Sequence, residues 1–131
     1  MAALHQHRAG AELQQRLADP ALVGALLDDT EASGFDTAFS LVCNNWLKLG
    51  AMGYDEHESV NPDLATFDLL DRIIVEAHAR GMRWHFWAWG DETRKWTAVG
   101  LPGGINGEVD RRLQRYIAAR LGPLPGWTMG Y

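Results

Sequence analysis

The chain has 131 residues, room for one domain with one core, and its 47% hydrophobic and 22% charged residues are those of a soluble globular protein. A net charge of −5 argues against phosphate-backbone binding, which needs a basic face, so no nucleic-acid partner is expected. The single cysteine, Cys43, rules out an internal disulfide and reads as a buried strand thiol; no segment is long and apolar enough for a signal peptide or a membrane span, so a cytoplasmic location without membrane contact is the expectation unless a leader precedes this sequence.

Residues 1–11 show no clear period. His5 and His7 face one way only if this stretch is extended, and a frayed terminus explains them better than a metal site. From Glu12 to Ser33 the pattern is helical, with an apolar stripe of Leu13, Leu17, Leu22, Leu26 and Leu27. Asp19-Pro20 interrupts it. Asp19 suits an N-cap and Pro20 a first turn, which predicts a short helix to about Ala18 and a second over Pro20–Ala32, stopped at Gly34.

Phe35–Cys43 is the first expected strand, rich in aromatic and β-branched residues. A long polar connection follows from Asn44 to Pro62, with Asn44-Asn45-Trp46 at its start and the acidic run Asp55-Glu56-His57-Glu58 inside it. Neighbours in one loop seldom converge on an ion, so no metal is expected there. Asn61 or Asp63 opens the next helix. Phe67, Leu70, Ile74 and Ala77 form its apolar face, Leu69 and Ile73 widen it, and Asp68, Asp71 and Arg72 sit on the far side.

Gly81 ends that helix and Met82–Trp89 begins at once. Three tryptophans, a phenylalanine and a histidine in so short a run predict a strand with both faces buried, as in a parallel sheet covered by helices. A second long loop, Gly90 to Asn106, carries Asp91, Glu92, Arg94, Lys95 and Trp96. Its segment Leu101-Pro102-Gly103-Gly104 is turn chemistry; the glycines could cradle a phosphate, but the Walker lysine and the dinucleotide spacing are missing. Asn106 is the expected N-cap of a helix over Glu108–Leu121, with Val109, Leu113, Tyr116 and Ile117 inward. Gly122, Pro123 and Pro125 stop it, and Trp127–Tyr131 reads as a third strand.

Helix, glycine, strand and long loop thus occur three times, with strand starts in steps of about 45 residues, the spacing of successive βα units. Helix-to-strand links are short; strand-to-helix links are long and carry asparagine, tryptophan, aspartate and histidine. A (β/α) barrel shows that asymmetry, stability at one rim and function at the other. The expected fold is α/β: a partial TIM-type barrel of three parallel strands with flanking helices. A complete barrel has eight strands in about 250 residues, so closure requires a missing barrel half or self-association into a homo-oligomer.

Within that frame, Asn61-Pro62-Asp63-Leu64, Phe67-Asp68-Leu69-Leu70-Asp71-Arg72-Ile73-Ile74 and Ala77-His78-Ala79-Arg80-Gly81-Met82-Arg83-Trp84-His85-Phe86 resemble the third unit of the (β/α)8 glycoside hydrolases of the large retaining clan. Ser33-Gly34-Phe35-Asp36-Thr37-Ala38 is similar to their junction into the second strand. The resemblance spans about residues 20–131, on the second to fourth βα units. It implies a carbohydrate-active barrel with a carbohydrate ligand and no cofactor. In that clan the general acid/base follows the fourth strand and the nucleophile the seventh, so the resemblance places the catalytic glutamate pair beyond Tyr131 and makes catalysis by this chain alone doubtful.

The residues themselves offer a binding surface. Trp87, Trp89 and Trp96, with Trp46 from the earlier loop, can build a platform on which the C–H faces of sugar rings stack; Asn44, Asn45, His85 and Asp91 can then bond hydroxyls. Core packing is the competing reading for these tryptophans, and the stronger one for Trp84 and Phe86. His85, on a face with Arg83, Trp87 and Trp89, is a ligand contact or a structural histidine. Asp91 and Glu92 are weak candidates for catalytic carboxyls if one is desolvated; pairing with Arg94 and Lys95 on a solvated loop is the stronger reading.

Overall fold

The computed structural model of the chain describes residues 19–47, 60–89 and 97–130. The first short helix expected before Pro20, His5, His7 and the acidic run 55–58 lie outside the described residues.

Helix α1, Pro20–Ala32, starts as its sequence dictates. Asp19 is extended and its carboxylate accepts the Ala21 N–H at 3.0 Å, with Pro20 in the first turn. Its inward residues are Val23 and Leu27; Leu22, expected in the stripe, is about half exposed. Gly34 adopts φ 79°, a turn that a side chain would strain, and strand β1, Thr37–Leu41, begins three residues later. A short 3-10 turn, Cys43–Leu47, follows.

Helix α2, Leu64–Ala79, is capped by Asp63, whose carboxylate accepts the Thr66 N–H at 3.0 Å and hydroxyl at 2.7 Å. It buries Phe67, Leu70, Ile73, Ile74 and Ala77. After Gly81 (φ 74°) comes β2, Arg83–Trp87. Helix α3, Glu108–Leu121, starts one residue later than Asn106 would cap it: Gly107 is the N-cap, and Asn106 turns in the left-handed region (φ 63°). Asn106 donates its N–H to the buried Asp110 at 2.7 Å, which ties the turn to the first turn of the helix, while the N-cap itself carries no side-chain bond. Strand β3 is Trp127–Gly130. Strands β1 and β2 are shorter than the expected runs Phe35–Cys43 and Met82–Trp89.

The sheet is parallel and its order, β1-β2-β3, is the order of the sequence. Phe39 lies opposite His85 and His85 opposite Thr128; one step on, Leu41, Trp87 and Gly130 are aligned. Ala38, Ser40, Trp84 and Phe86 point to one face and are buried in a single core with Val23, Leu27, Phe67, Ile73, Ile74, Leu113 and Ile117 of the three helices. The helices therefore cover that face. On it the Trp84 indole donates to Ser40 Oγ at 2.9 Å. Trp127 lies 6.1 Å from Phe86, tilted, and caps the layer at β3.

The other face corrects the expectation of a strand buried on both sides. Along β2 the burial alternates, with Trp84 and Phe86 inside, Arg83 and Trp87 exposed and His85 half-buried. Both outer edges of the sheet are open among the described residues. What the structure establishes is an α/β fold with an open three-stranded parallel sheet. No helix among the described residues is long and apolar enough to cross a membrane.

The polar residues of α2 also sit differently from the far-side expectation. Asp68 and Asp71 face α3, where Arg120 donates to Asp68 at 2.6 Å, to Asp71 at 2.7 Å and to the Tyr116 hydroxyl at 3.3 Å. Those bonds, Asp68's foremost, hold the Arg120 guanidinium above its ordinary pKa. Arg80 plays the same part toward α1, bonding Asp28 and Glu76, and its pKa is likewise raised, chiefly by Asp28. The three helices are thus strapped side by side over the sheet.

Candidate functional site

Two-residue alternation decides which side chains meet on the uncovered face. From β1 it receives Thr37, Phe39 and Leu41, from β2 Arg83, His85 and Trp87, from β3 Thr128 and Gly130. Its apolar members remain open to solvent: Phe39 by 59%, Trp87 by 46% and Leu41 by 41%. All-parallel sheets are ordinarily covered on both faces, so an exposed surface of this kind marks a place where something else fits.

At its centre stands His85. The imidazole Nδ1 lies 2.7 Å from Thr128 Oγ1 on the neighbouring strand. Its ring is edge-on to the Trp87 indole, centroids 5.6 Å apart and planes at 85°. Beyond the ring is Gly130, where an added Cβ would stand 3.2 Å from His85 Nε2 and 3.4 Å from the Trp87 ring. The result is an aromatic wall, a clamped imidazole and a gap left by a missing side chain, at the carboxyl ends of β2 and β3, the end at which α/β proteins place their ligands. The hydroxyl of Thr128 can donate to Nδ1 or accept from it, so Nε2 offers the complementary role to whatever enters.

The sequence-derived candidates divide sharply. His85 and Trp87 lie together on the open face. Trp46 does not: it is fully buried, its indole donates to the Ala88 carbonyl at 2.8 Å and its ring packs 5.5 Å from Phe67. Trp89 is also interior, because the chain leaves the strand after Trp87 and alternation no longer governs it. Neither contributes an exposed ring to a platform. Asn45 is half-buried and donates to the Val42 carbonyl at 2.7 Å, fixing the turn after β1. Asn44 belongs to the same 3-10 turn. Asp91, Glu92 and Trp96 lie outside the described residues.

Phe39, Leu41, Thr128 and Gly130 were missed. Register is the reason: a residue joins this site only through its strand partner, and pairing is not written in local sequence. One signal was legible, a glycine within a strand, which often marks close approach by a ligand or another backbone.

The electrostatics of the face are modest. None of its described residues is a carboxylate, and Arg83 at the opposite end is its one formal charge. Among the described residues no group of three histidine, cysteine, aspartate or glutamate side chains converges as a metal site would require. A separate groove of about 390 Å³ runs along the outer side of α3, lined by Glu108, Arg111, Arg112, Arg115, Tyr116 and Ala119. Two of its arginines are engaged locally: Arg112 bonds the Val60 carbonyl, Asn61 and Glu108, and Arg111 the Asn106 carbonyl. The open sheet face is the better site.

Comparison with protein-family models, with curated proteins and with solved structures finds no match for this chain. What the site can do follows from its geometry alone.

Proposed function

We propose that this chain forms three consecutive strands of a carbohydrate-active, glycoside hydrolase-like (β/α) barrel, and that the open sheet face is its sugar-binding side. One observation carries the reading: strand order follows the sequence and all three helices lie on the same face. A doubly wound sheet reverses its strand order and takes helices on both faces; a barrel wall does neither. The uncovered face then corresponds to a barrel interior, and its carboxyl end to the functional rim.

The chemistry there suits a sugar. The half-exposed Trp87 ring offers a flat apolar surface to ring C–H groups, while His85 Nε2 and the Thr128 hydroxyl offer bonds to hydroxyls. Retaining hydrolysis needs two carboxyls about 5 Å apart across the scissile bond, and the described part of the face carries none. The proposed role of the described residues is therefore binding and orientation, not bond cleavage. The test is a tryptophan-fluorescence titration with β-linked gluco-, manno- and xylo-oligosaccharides. A saturable change in the native protein that disappears in Trp87→Phe supports the reading; an unchanged signal with all three series defeats it.

A second reading is favoured by the exposure of Phe39 and Leu41 on an edge strand. An open parallel edge flanked by apolar side chains pairs readily with another chain, so a non-catalytic homo-oligomer closed through β1 and β3 is the alternative. Size-exclusion chromatography with light scattering decides it: a discrete oligomer supports closure and a monomer defeats it.

A further inference from the structure

We infer that Thr128 and Gly130 of β3 build, around His85, a subsite for a single small polar group of the ligand. The inference rests on the carbohydrate reading for the nature of that group, a hydroxyl or hydroxymethyl, but not for the existence of the subsite.

Two residues of β3 converge on one side chain of β2. Thr128 is the direct cross-strand partner of His85 and meets Nδ1 at 2.7 Å. That contact uses one ring nitrogen and fixes the plane of the ring, which leaves Nε2 as the nitrogen presented outward. Gly130, two residues on and therefore on the same face, is the partner of Trp87. A Cβ there would stand 3.2 Å from Nε2, tighter than most real Cβ contacts, and 3.4 Å from the Trp87 ring, the near edge of ordinary contact. An alanine at 130 would thus occupy the space in front of Nε2, where glycine leaves it empty.

Glycine is an unfavourable strand residue, costing about 0.5–1 kcal/mol relative to alanine. No positive φ at Gly130 calls for it. Nor is it needed to let backbone pass, since the nearest atoms to the added Cβ are side-chain atoms of His85 and Trp87. The gap itself is what the glycine provides. Thr128 and Gly130 act through His85: the first is a positioning residue, the second sets how large a group reaches Nε2.

The experiment uses the full chain and reads the imidazole directly. Each histidine is followed by peptide mass spectrometry during acylation with diethyl pyrocarbonate, in native protein, Gly130→Ala, Thr128→Val and Thr128→Ser. His78, on α2, serves as the internal reference. Gly130→Ala is expected to slow acylation of His85 several-fold with His78 unchanged. In long-range 1H–15N spectra the two His85 nitrogens are expected at distinct shifts, as one held tautomer gives. Thr128→Val is expected to average them and Thr128→Ser to keep them apart. An unchanged His85 rate in a folded Gly130→Ala protein overturns the subsite, as do nitrogen shifts in Thr128→Val identical to the native ones. If both imidazole readouts behave as expected while no oligosaccharide shifts the His85 signals, the subsite is upheld and the carbohydrate reading fails.

Discussion

The indole N–H of Trp46 donates to the carbonyl of Ala88 at 2.8 Å, tying the turn after β1 to the residue that follows β2. It is a fully buried bond between positions 42 residues apart. A tryptophan in a polar loop, which the sequence offers as a platform for ligand, is thereby a structural post at the carboxyl end of the sheet. Trp46→Phe keeps most of the ring but orphans the Ala88 carbonyl, a loss of about 1–3 kcal/mol. Trp46→Ala is expected to cost about 3–5 kcal/mol. Urea unfolding measures both, and oligosaccharide affinity of the Phe variant is expected to stay native.

A second buried indole makes a matching expectation on the covered face. Trp84 donates to Ser40 Oγ at 2.9 Å, and both residues are inside the core. Ser40→Ala leaves the Trp84 N–H without its acceptor, at a cost of about 1–3 kcal/mol. The denaturant midpoint should fall with the slope unchanged, since compactness is not altered.

The two faces of the sheet should respond oppositely to truncation. Phe86 is fully buried and Phe39 is mostly exposed. Phe86→Ala is expected to destabilise by about 3–5 kcal/mol. Phe39→Ser should stay within about 0.5 kcal/mol of native, as surface changes do. A loss at Phe39 comparable to that at Phe86 would mean that the face is covered in solution, and would favour the oligomeric reading.

Glycines at the loop before α3 are also unequal. A Cβ on Gly107 would come within 2.6 Å of the Gly103 carbonyl carbon and oxygen, which are backbone and cannot step aside. At Gly34 an added Cβ meets nothing within 4 Å, so only its positive φ penalises a side chain. Gly34→Ala is expected to cost about 1–2 kcal/mol. Gly107→Ala should cost more, and thermal unfolding of the pair ranks them.

Much of the fold is legible in the sequence because its signals are local. Asp19-Pro20 and Asp63 cap their helices, Gly34 and Gly81 terminate them, and the apolar periods place Phe67, Ile74, Leu113 and Ile117 inward. The site is legible only in part. His85 and Trp87 announce themselves as polar and aromatic neighbours at a strand end, yet the aromatic density of β2 hides the fact that one face is bare. Trp46 reads as a platform residue because a buried indole bond to a distant carbonyl has no sequence mark, and Trp89 because nothing local shows that the chain leaves the strand after Trp87. Thr128 and Gly130 join the site through strand pairing alone, and the N-cap of α3 falls on Gly107, one residue past Asn106.

The sugar-binding assignment of the open sheet face is tested most directly by shift mapping of the native protein. Oligosaccharides are titrated while the imidazole of His85, the indole of Trp87 and the side chains of Phe39 and Thr128 are observed together. Saturable shifts confined to those four residues and their strand neighbours, weakened about fivefold to tenfold in affinity by Gly130→Ala for the loss of one hydrogen bond, are the expected result. Shifts centred on the α3 groove, or none anywhere at saturating oligosaccharide, would contradict it.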